Sequence, residues 1–455
     1  MYNYSNYIKQ EEYKKKIFKN QPMKKNQKFP SKELLEKIFI ADLHVHSKYS
    51  RACSKFMEVP ILAKVGKLKG LQLIGTGDFT HPMWLKELKE HLEYDPGSGL
   101  YFFNELPEGP KFILTSEVSL IFSQNNKSNR RVHLIIIAPD FETVEEINLY
   151  LSKLGNLLID GRPTFGISCE KLTLDLLKIS EKILIIPAHA WTPWYSVFGA
   201  FSGFDSLEEA FGEATPHIYA IETGLSSDPE MNWRISKLDN ITLISCSDAH
   251  SPPKLGREAT AFFTPLTYKN IYNSIKTGNI AFTIEFYPEE GKYHYDGHRA
   301  CKVCLSPKET KALGYRCPKC GNPLTVGVLH RIELFADREE GYIPQNKPLS
   351  VHLVPFLEII AEVFNINKGS KTAEKLYNQY VSLVGTEFDL LLKVELQDLE
   401  KALPSKLVEG IKRVREGKVF AKPGYDGEYG VIKIFEAPEE ESSAGLKQQS
   451  LFPLQ

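Results

Sequence analysis

Ile38-Phe39-Ile40-Ala41-Asp42-Leu43-His44-Val45-His46 decides how the rest of this chain is read. It is a short apolar run of strand length that ends in two histidines two residues apart. Alternation along a strand puts both imidazoles on one face, where they can grip a single ion. Six further apolar runs repeat the theme: Leu71–Thr76 before Asp78, Phe112–Ser116 before Glu117, and Val132–Ala138 carrying His133. Ile183–Ala188 precedes His189, Ile218–Ile221 precedes Glu222, and Ile241–Cys246 precedes Asp248 and His250. Each reads as a strand buried on both faces. The helical-looking stretches between them predict a parallel sheet closed by crossover helices. In such a fold, polar residues at the strand ends converge on one rim.

That rim would gather His44, His46, Glu117, His133, His189, Asp248 and His250. Neutral imidazoles beside carboxylates suit Zn, Mn or Fe. A carboxylate can bridge two such ions about 3.5–4 Å apart, and paired ions suit hydrolysis at phosphorus. No protein nucleophile is needed, and no Ser or Cys is placed as one.

The chain has 455 residues, room for roughly two to four domains. With 42% hydrophobic and 25% charged residues it has an ordinary globular composition. No apolar run approaches the roughly 18–20 residues of a membrane span, so no membrane partner is expected. The N-terminus lacks an apolar leader core, so a cytoplasmic, nucleoid-associated location is expected. A net charge of −1 hides basic segments. Residues 1–37 hold ten Lys and four acidic residues, 291–338 nine Lys/Arg and four acidic, and 401–422 seven and two. Such patches suit either a polyanionic partner or plain solvation.

Cys301-x-x-Cys304 and, twelve residues on, Cys317-x-x-Cys320 predict a tetrahedral four-cysteine zinc site. With four thiolates and no open position, that zinc is structural, and it would supply the folding energy of a module too short for its own core.

Asp42-Leu43-His44-Val45-His46-Ser47, followed by Asp78, Glu117, His133, His189 and Asp248-Ala249-His250, resembles the PHP family over residues 38–290. The resemblance implies a distorted (β/α)7 barrel, an α/β fold, with two or three divalent metals (Zn, or Mn or Mg in an exchangeable position). It also implies that His44, His46, Glu117 and Asp248 hold one ion and Glu117, His133 and His189 the second, making Asp248, Glu117 and His189 catalytic. Asp78 and His250 would face a third. The family has His directly after that Asp, whereas Phe79 stands here, so the third ligand is either lost or moved to His81.

Ser47–Ala52, Gly75–Pro82 and Ala188–Tyr195 leading to Ser202–Ser206 narrow the likeness to the endonuclease Q family, over about residues 38 to 432. That implies nicking of DNA on the 5′ side of uracil, hypoxanthine, xanthine or an abasic site. The aromatic loop Trp191–Phe204, with Trp194, would overhang the site as a stacking platform or a packed lid. Arg51, Arg299, Arg316, Lys412 and Arg413 are candidate DNA contacts, as are Lys48, Arg130, Arg131 and Arg257 for phosphate oxygens. A small-molecule phosphoesterase is the alternative; it needs the same metals but neither the zinc module nor the basic helix.

The expected organisation is a flexible basic extension (1–37), the barrel (38–290), the zinc module (291–338), a helical DNA-binding segment (339–432) and a flexible tail (433–455). In the tail, Gln448-x-Ser450-Leu451-Phe452 resembles the peptide that docks replication proteins on a sliding clamp. Gln448, Leu451 and Phe452 would make that contact. A monomer is expected.

Overall fold

The computed structural model describes residues 21–24, 29–124, 127–345 and 347–435. The seven apolar runs supply β1 (Phe39–Asp42), β2 (Leu73–Gly75), β3 (Lys111–Gln124), β4 (Lys127–Ala138), β5 (Leu184–Pro187), β6 (Ala220–Glu222) and β7 (Thr242–Ile244). β1, β2 and β5 are buried at every position, as expected of strands covered on both faces.

The fold is mixed α/β on a central sheet. Among the described residues that sheet has eleven strands. Its main path runs Leu349–His352, Phe282–Glu285, Ala259–Phe262, β1, β2, β3, then the ribbon Leu100–Phe103 and Leu92–Asp95. β4 pairs with β3 and β5, while β6 and β7 form a separate parallel pair. Backbone bonds draw the loose ends in: Ala190 N donates to Glu222 O at 2.9 Å, and His46 N to Ala249 O at 3.0 Å.

The sheet departs from the expected all-parallel pattern. β1, β2 and β3 are parallel, but β4 runs antiparallel to both β3 and β5. The physical reason lies in chain length. A parallel return needs a crossover of a dozen or more residues, whereas a hairpin needs about two. The strand from Lys111 continues past Glu117 to Gln124, and β4 begins at Lys127, so no crossover fits. Helices do cross over elsewhere, such as Val59–Lys69 between β1 and β2, closed by Gly70 at φ 88°.

Residues 296–335 form a small module: the hairpin Asp296–His298 with Val303–Leu305, the helix Pro307–Ala312 and the helix Val328–Phe335. Its own core is Val303, Leu305, Cys317 and Leu324. The C-terminal segment carries helices Phe356–Phe364, Lys371–Val384, Leu396–Ala402 and Ser405–Arg415. Val351, expected in the first of these, instead pairs with Ile284 in a parallel strand of the central sheet, and the helix starts only after Pro355. Parts of the N-terminal segment expected to be flexible are structured. Gln21–Lys24 pairs antiparallel with Lys418–Lys422, and Lys32–Lys37 is a helix capped by Ser31. No helix among the described residues is long and apolar enough to cross a membrane.

Candidate metal centre

Strand ends bring six of the predicted residues together. His46 Nε2 lies 3.0 Å from Asp248 Oδ1 and 3.2 Å from Glu117 Oε2. His44 Nε2 lies 3.6 Å from each of the same two oxygens. These four residues form one group able to hold a metal ion. His44 Nε2, His46 Nε2 and Asp248 Oδ1 are buried and have no hydrogen-bond partner among the described residues. A buried polar atom without a partner is costly. Three that converge on one point fit a cation ligand set.

Glu117 Oε1 serves a second group, 2.8 Å from His133 Nδ1 and 3.1 Å from His189 Nε2. Glu117 thus turns one oxygen to each group, the posture of a bridging carboxylate. Burial alone would raise the Glu117 carboxyl, but His133, Arg162 and His44 outweigh it and hold it well below the usual range. Burial pushes His44 and His46 down, yet Glu222, Asp248, Glu117 and Asp78 reverse the sign and raise both well above the ordinary imidazole value. His133 is driven down to about 4 by burial.

A further layer fixes these ligands. Glu222 accepts from His44 Nδ1 at 3.0 Å and from His189 N at 2.6 Å. Asp78 accepts from His46 Nδ1 at 3.0 Å, and from Ser47 N, Ser47 Oγ and Ser50 Oγ at 2.6, 2.6 and 2.8 Å. These carboxylates leave each Nε2 facing the centre. Asp78, His189 and Asp248 all adopt positive φ (48°, 32° and 47°). Non-glycine residues in that region carry strain of order 1–3 kcal/mol, which gathers at functional sites.

Among the described residues, Asp78 and His250 do not join a third group able to hold a metal. The hydrogen bonds of Asp78 occupy it behind His46. His250 packs its ring 4.5 Å from that of His46, and its Nδ1 donates to the Asp248 carbonyl at 2.9 Å. His81 stacks on Tyr49 at 4.4 Å.

In the module, the group able to hold a metal is His298, Cys301, Cys317 and Cys320, with His298 where Cys304 was expected. Cys304 sits opposite Gly297 in the hairpin, and its thiol lies 4.0 Å from the Pro423 carbonyl. His298 Nδ1 is 3.5 Å from Cys320 Sγ. Both sets are thiolate-rich and suit zinc.

The candidate DNA contacts divide. Trp191 is buried, with its indole N–H on Asn232 Oδ1 at 2.8 Å and its ring on Phe198 at 4.7 Å, so it packs the loop and cannot stack on a base. Arg130 is buried too, bound to Glu209 and laid over Phe204. Arg413 is committed to Glu409 at 2.9 Å and to Phe435. Lys48 pairs with Glu87 at 2.9 Å. Arg257 donates to the Ser247 carbonyl at 3.0 Å. Trp194, Arg51, Arg299, Arg316 and Lys412 are exposed. Trp194 stacks on Phe201 at 4.7 Å, beside Tyr195, whose ring lies 4.8 Å from His133 and whose hydroxyl faces Arg131. The peptide at Gln448, Leu451 and Phe452 lies outside the described residues. Sequence reasoning missed Arg162, whose Nη1 is 3.0 Å from Glu117 Oε2. It also left Glu222 without a role and did not place His298 among the metal ligands. For Glu222 the signal was present, because it follows an apolar run as the other site residues do.

A family model described as the MJ0043 C-terminal domain matches residues 355–418. The uncharacterized protein MJ0043 of Methanocaldococcus jannaschii is 31% identical over 256 residues, 54% of this chain and 31% of that protein's length. The uncharacterized protein YqxK of Bacillus subtilis is 29% identical over 422 residues, 88% of this chain and 100% of that one. Fold and site define an α/β protein with two histidine–carboxylate groups at its strand ends. The crystal structure of the lesion-specific endonuclease PfuEndoQ from Pyrococcus furiosus matches with TM-score 0.78 and 35% identity over 90% of this chain and 98% of that one. A structure of endonuclease Q with a 27-mer duplex carrying an abasic lesion at the active site matches with TM-score 0.77 and 34% identity, over 91% and 100%. The chain belongs to the endonuclease Q family.

Proposed function

We propose that this protein is a DNA-repair endonuclease that hydrolyses the phosphodiester 5′ to uracil, hypoxanthine, xanthine and abasic sites, with two divalent ions (Zn, or Mn or Mg) in a seven-stranded PHP barrel. The observation that carries the reading is Glu117, one oxygen toward His44, His46 and Asp248 and the other toward His133 and His189. The duplex with an abasic lesion held by a solved relative supports DNA as the substrate.

His44, His46, Glu117 and Asp248 would hold one ion, and Glu117, His133 and His189 the other. Divalent ions bound there supply charge that polarises the scissile phosphate and acidifies a water. The rest is the work of side chains. Glu222 and Asp78 keep His44 and His46 in the tautomer that presents Nε2. Trp194 and Phe201 give a face on which a base can stack. Extruding the lesion nucleotide costs a few kcal/mol, least where pairing is already weak. Zinc in the module would anchor the helix Val328–Phe335, whose Arg331 donates to Phe198 O and Phe204 O at 3.0 Å each and so braces the aromatic loop. We further propose that the C-terminal peptide docks the protein on a sliding clamp and that the protein acts as a monomer. Deleting 447–455 should leave cutting intact and abolish clamp pull-down.

The test is incubation of end-labelled duplexes carrying one uracil, hypoxanthine or abasic site with wild type and Asp248→Ala. The expected result is a single nick 5′ to the lesion with wild type and intact strands with the variant. Intact lesion strands with wild type plus divalent metal would remove the proposal.

A further inference from the structure

Arg162 is a cation built into the metal centre. Its Nη1 lies 3.0 Å from Glu117 Oε2, the oxygen that is also 3.2 Å from His46 Nε2. The Glu117 side chain is fully buried, while that of Arg162 keeps 25% of its surface exposed. The guanidinium therefore spans from the carboxylate to the open side of the site.

Its loop is fastened on every side. Asp160 Oδ1 accepts from the N–H groups of Arg51 and Arg162 at 3.2 and 3.1 Å. Gly161 N donates to Tyr49 O at 3.0 Å, Thr80 Oγ1 donates to Gly161 O at 3.1 Å, and Ser119 N donates to Pro163 O at 2.9 Å. Gly161 passes so close to the layer behind His46 that a Cβ there would lie 2.4 Å from both Asp78 Oδ2 and Ser50 Oγ. A glycine is required at that contact, and it delivers the next side chain to Glu117. A surface arginine that merely swung inward would need none of this.

Arg162 draws on the same carboxylate that both metal-binding groups use. Divalent ions held by the two groups would both draw on the Glu117 carboxylate. A guanidinium about 3 Å from that carboxylate then meets strong repulsion unless another anion comes between. A phosphodiester is such an anion, and the planar fork of arginine donors matches its oxygens.

We infer that Arg162 binds a non-bridging oxygen of the scissile phosphate, exchanging its bond to Glu117 for one to substrate. The inference rests on the phosphodiesterase reading above. In the step itself, a P–O bond forms to the water oxygen and the P–O bond to the departing sugar oxygen breaks. One water proton ends on that sugar oxygen. Charge accumulates on the non-bridging oxygens meanwhile, and a fixed donor there lowers the barrier.

Three measurements on the full chain test this with Arg162→Gln and Arg162→Lys. They are metal content by mass spectrometry, inorganic phosphate binding to metal-loaded protein by calorimetry, and single-turnover cutting of a uracil duplex. Arg162→Gln should keep the wild-type metal content, bind phosphate about tenfold more weakly and cut about 100-fold more slowly, the usual loss for one transition-state donor. Arg162→Lys should recover part of both. Loss of metal from Arg162→Gln would overturn the inference by making Arg162 a support for Glu117, and so would unchanged phosphate binding or unchanged cutting. Should wild type bind phosphate through Arg162 yet cut no lesion duplex, the endonuclease reading falls and the phosphate subsite stands.

Discussion

Glu222 Oε1 lies 3.0 Å from His44 Nδ1, and the other oxygen of the same carboxylate takes the backbone N–H of His189 at 2.6 Å. One buried side chain thus orients a ligand of each proposed ion. Outer carboxylates of this kind typically contribute 10–100-fold to metal affinity. Glu222→Ala should therefore lose that much affinity at both positions, read by metal titration. Loss at only the His44 group would mean that the His189 contact is incidental.

Proton competition gives the second prediction. Carboxylates raise His44 and His46 well above the ordinary imidazole value, so protons compete with a metal for both rings. A metal takes only the neutral ring, so binding must release protons. Affinity should fall as pH is lowered and rise as it is raised. Calorimetry in buffers of different ionisation enthalpy should report proton release on metal uptake; buffer-independent heats would count against the assignment.

Much of this centre was legible in the chain because the code is local. A strand-length apolar run followed by His, Glu or Asp sends that side chain to a strand end, and all seven runs form strands. The strand direction of β4 was not legible, because the pairing of Ser119 with His133 depends on a hairpin rather than on periodicity. Arg162 was hidden for a different reason: a loop with no apolar pattern reaches Glu117 from 45 residues away. His298 was masked by the stronger Cys-x-x-Cys signal. In the hairpin, strand alternation turns Cys304 toward Pro423 and leaves His298 beside Cys320. Trp191 and Trp194 look alike in sequence, yet three residues separate a buried core ring from an exposed one.

That contrast is testable. Trp194 is 37% exposed and stacked on Phe201, whereas Trp191 is 1% exposed. Base–aromatic stacking is worth about 1–3 kcal/mol per base. Trp194→Ala should weaken binding to a lesion duplex by roughly tenfold or more with little change in melting temperature. Trp191→Ala should destabilise the fold by about 3–5 kcal/mol. Anisotropy and thermal melts separate the two; equal effects of both variants on melting alone would remove the stacking role.

Glu258 lies behind the centre, fully buried, with Oε2 accepting from Leu225 N at 3.1 Å. Burial, reinforced by the charge of Glu222, pushes its carboxyl up from 4.5 to about 8. The folded state then holds a proton that the unfolded chain gives up above about 4.5. Stability from this group is thus full below that value and drains as pH rises to about 8, by on the order of 1.4 kcal/mol per pH unit. Glu258→Gln mimics the protonated acid and has no proton to lose. Its melting temperature should match wild type near pH 5, exceed it near pH 8, and trace a flatter curve between. Parallel curves for the two proteins would show that Glu258 is ionised in the fold and that its charge is neutralised by a partner.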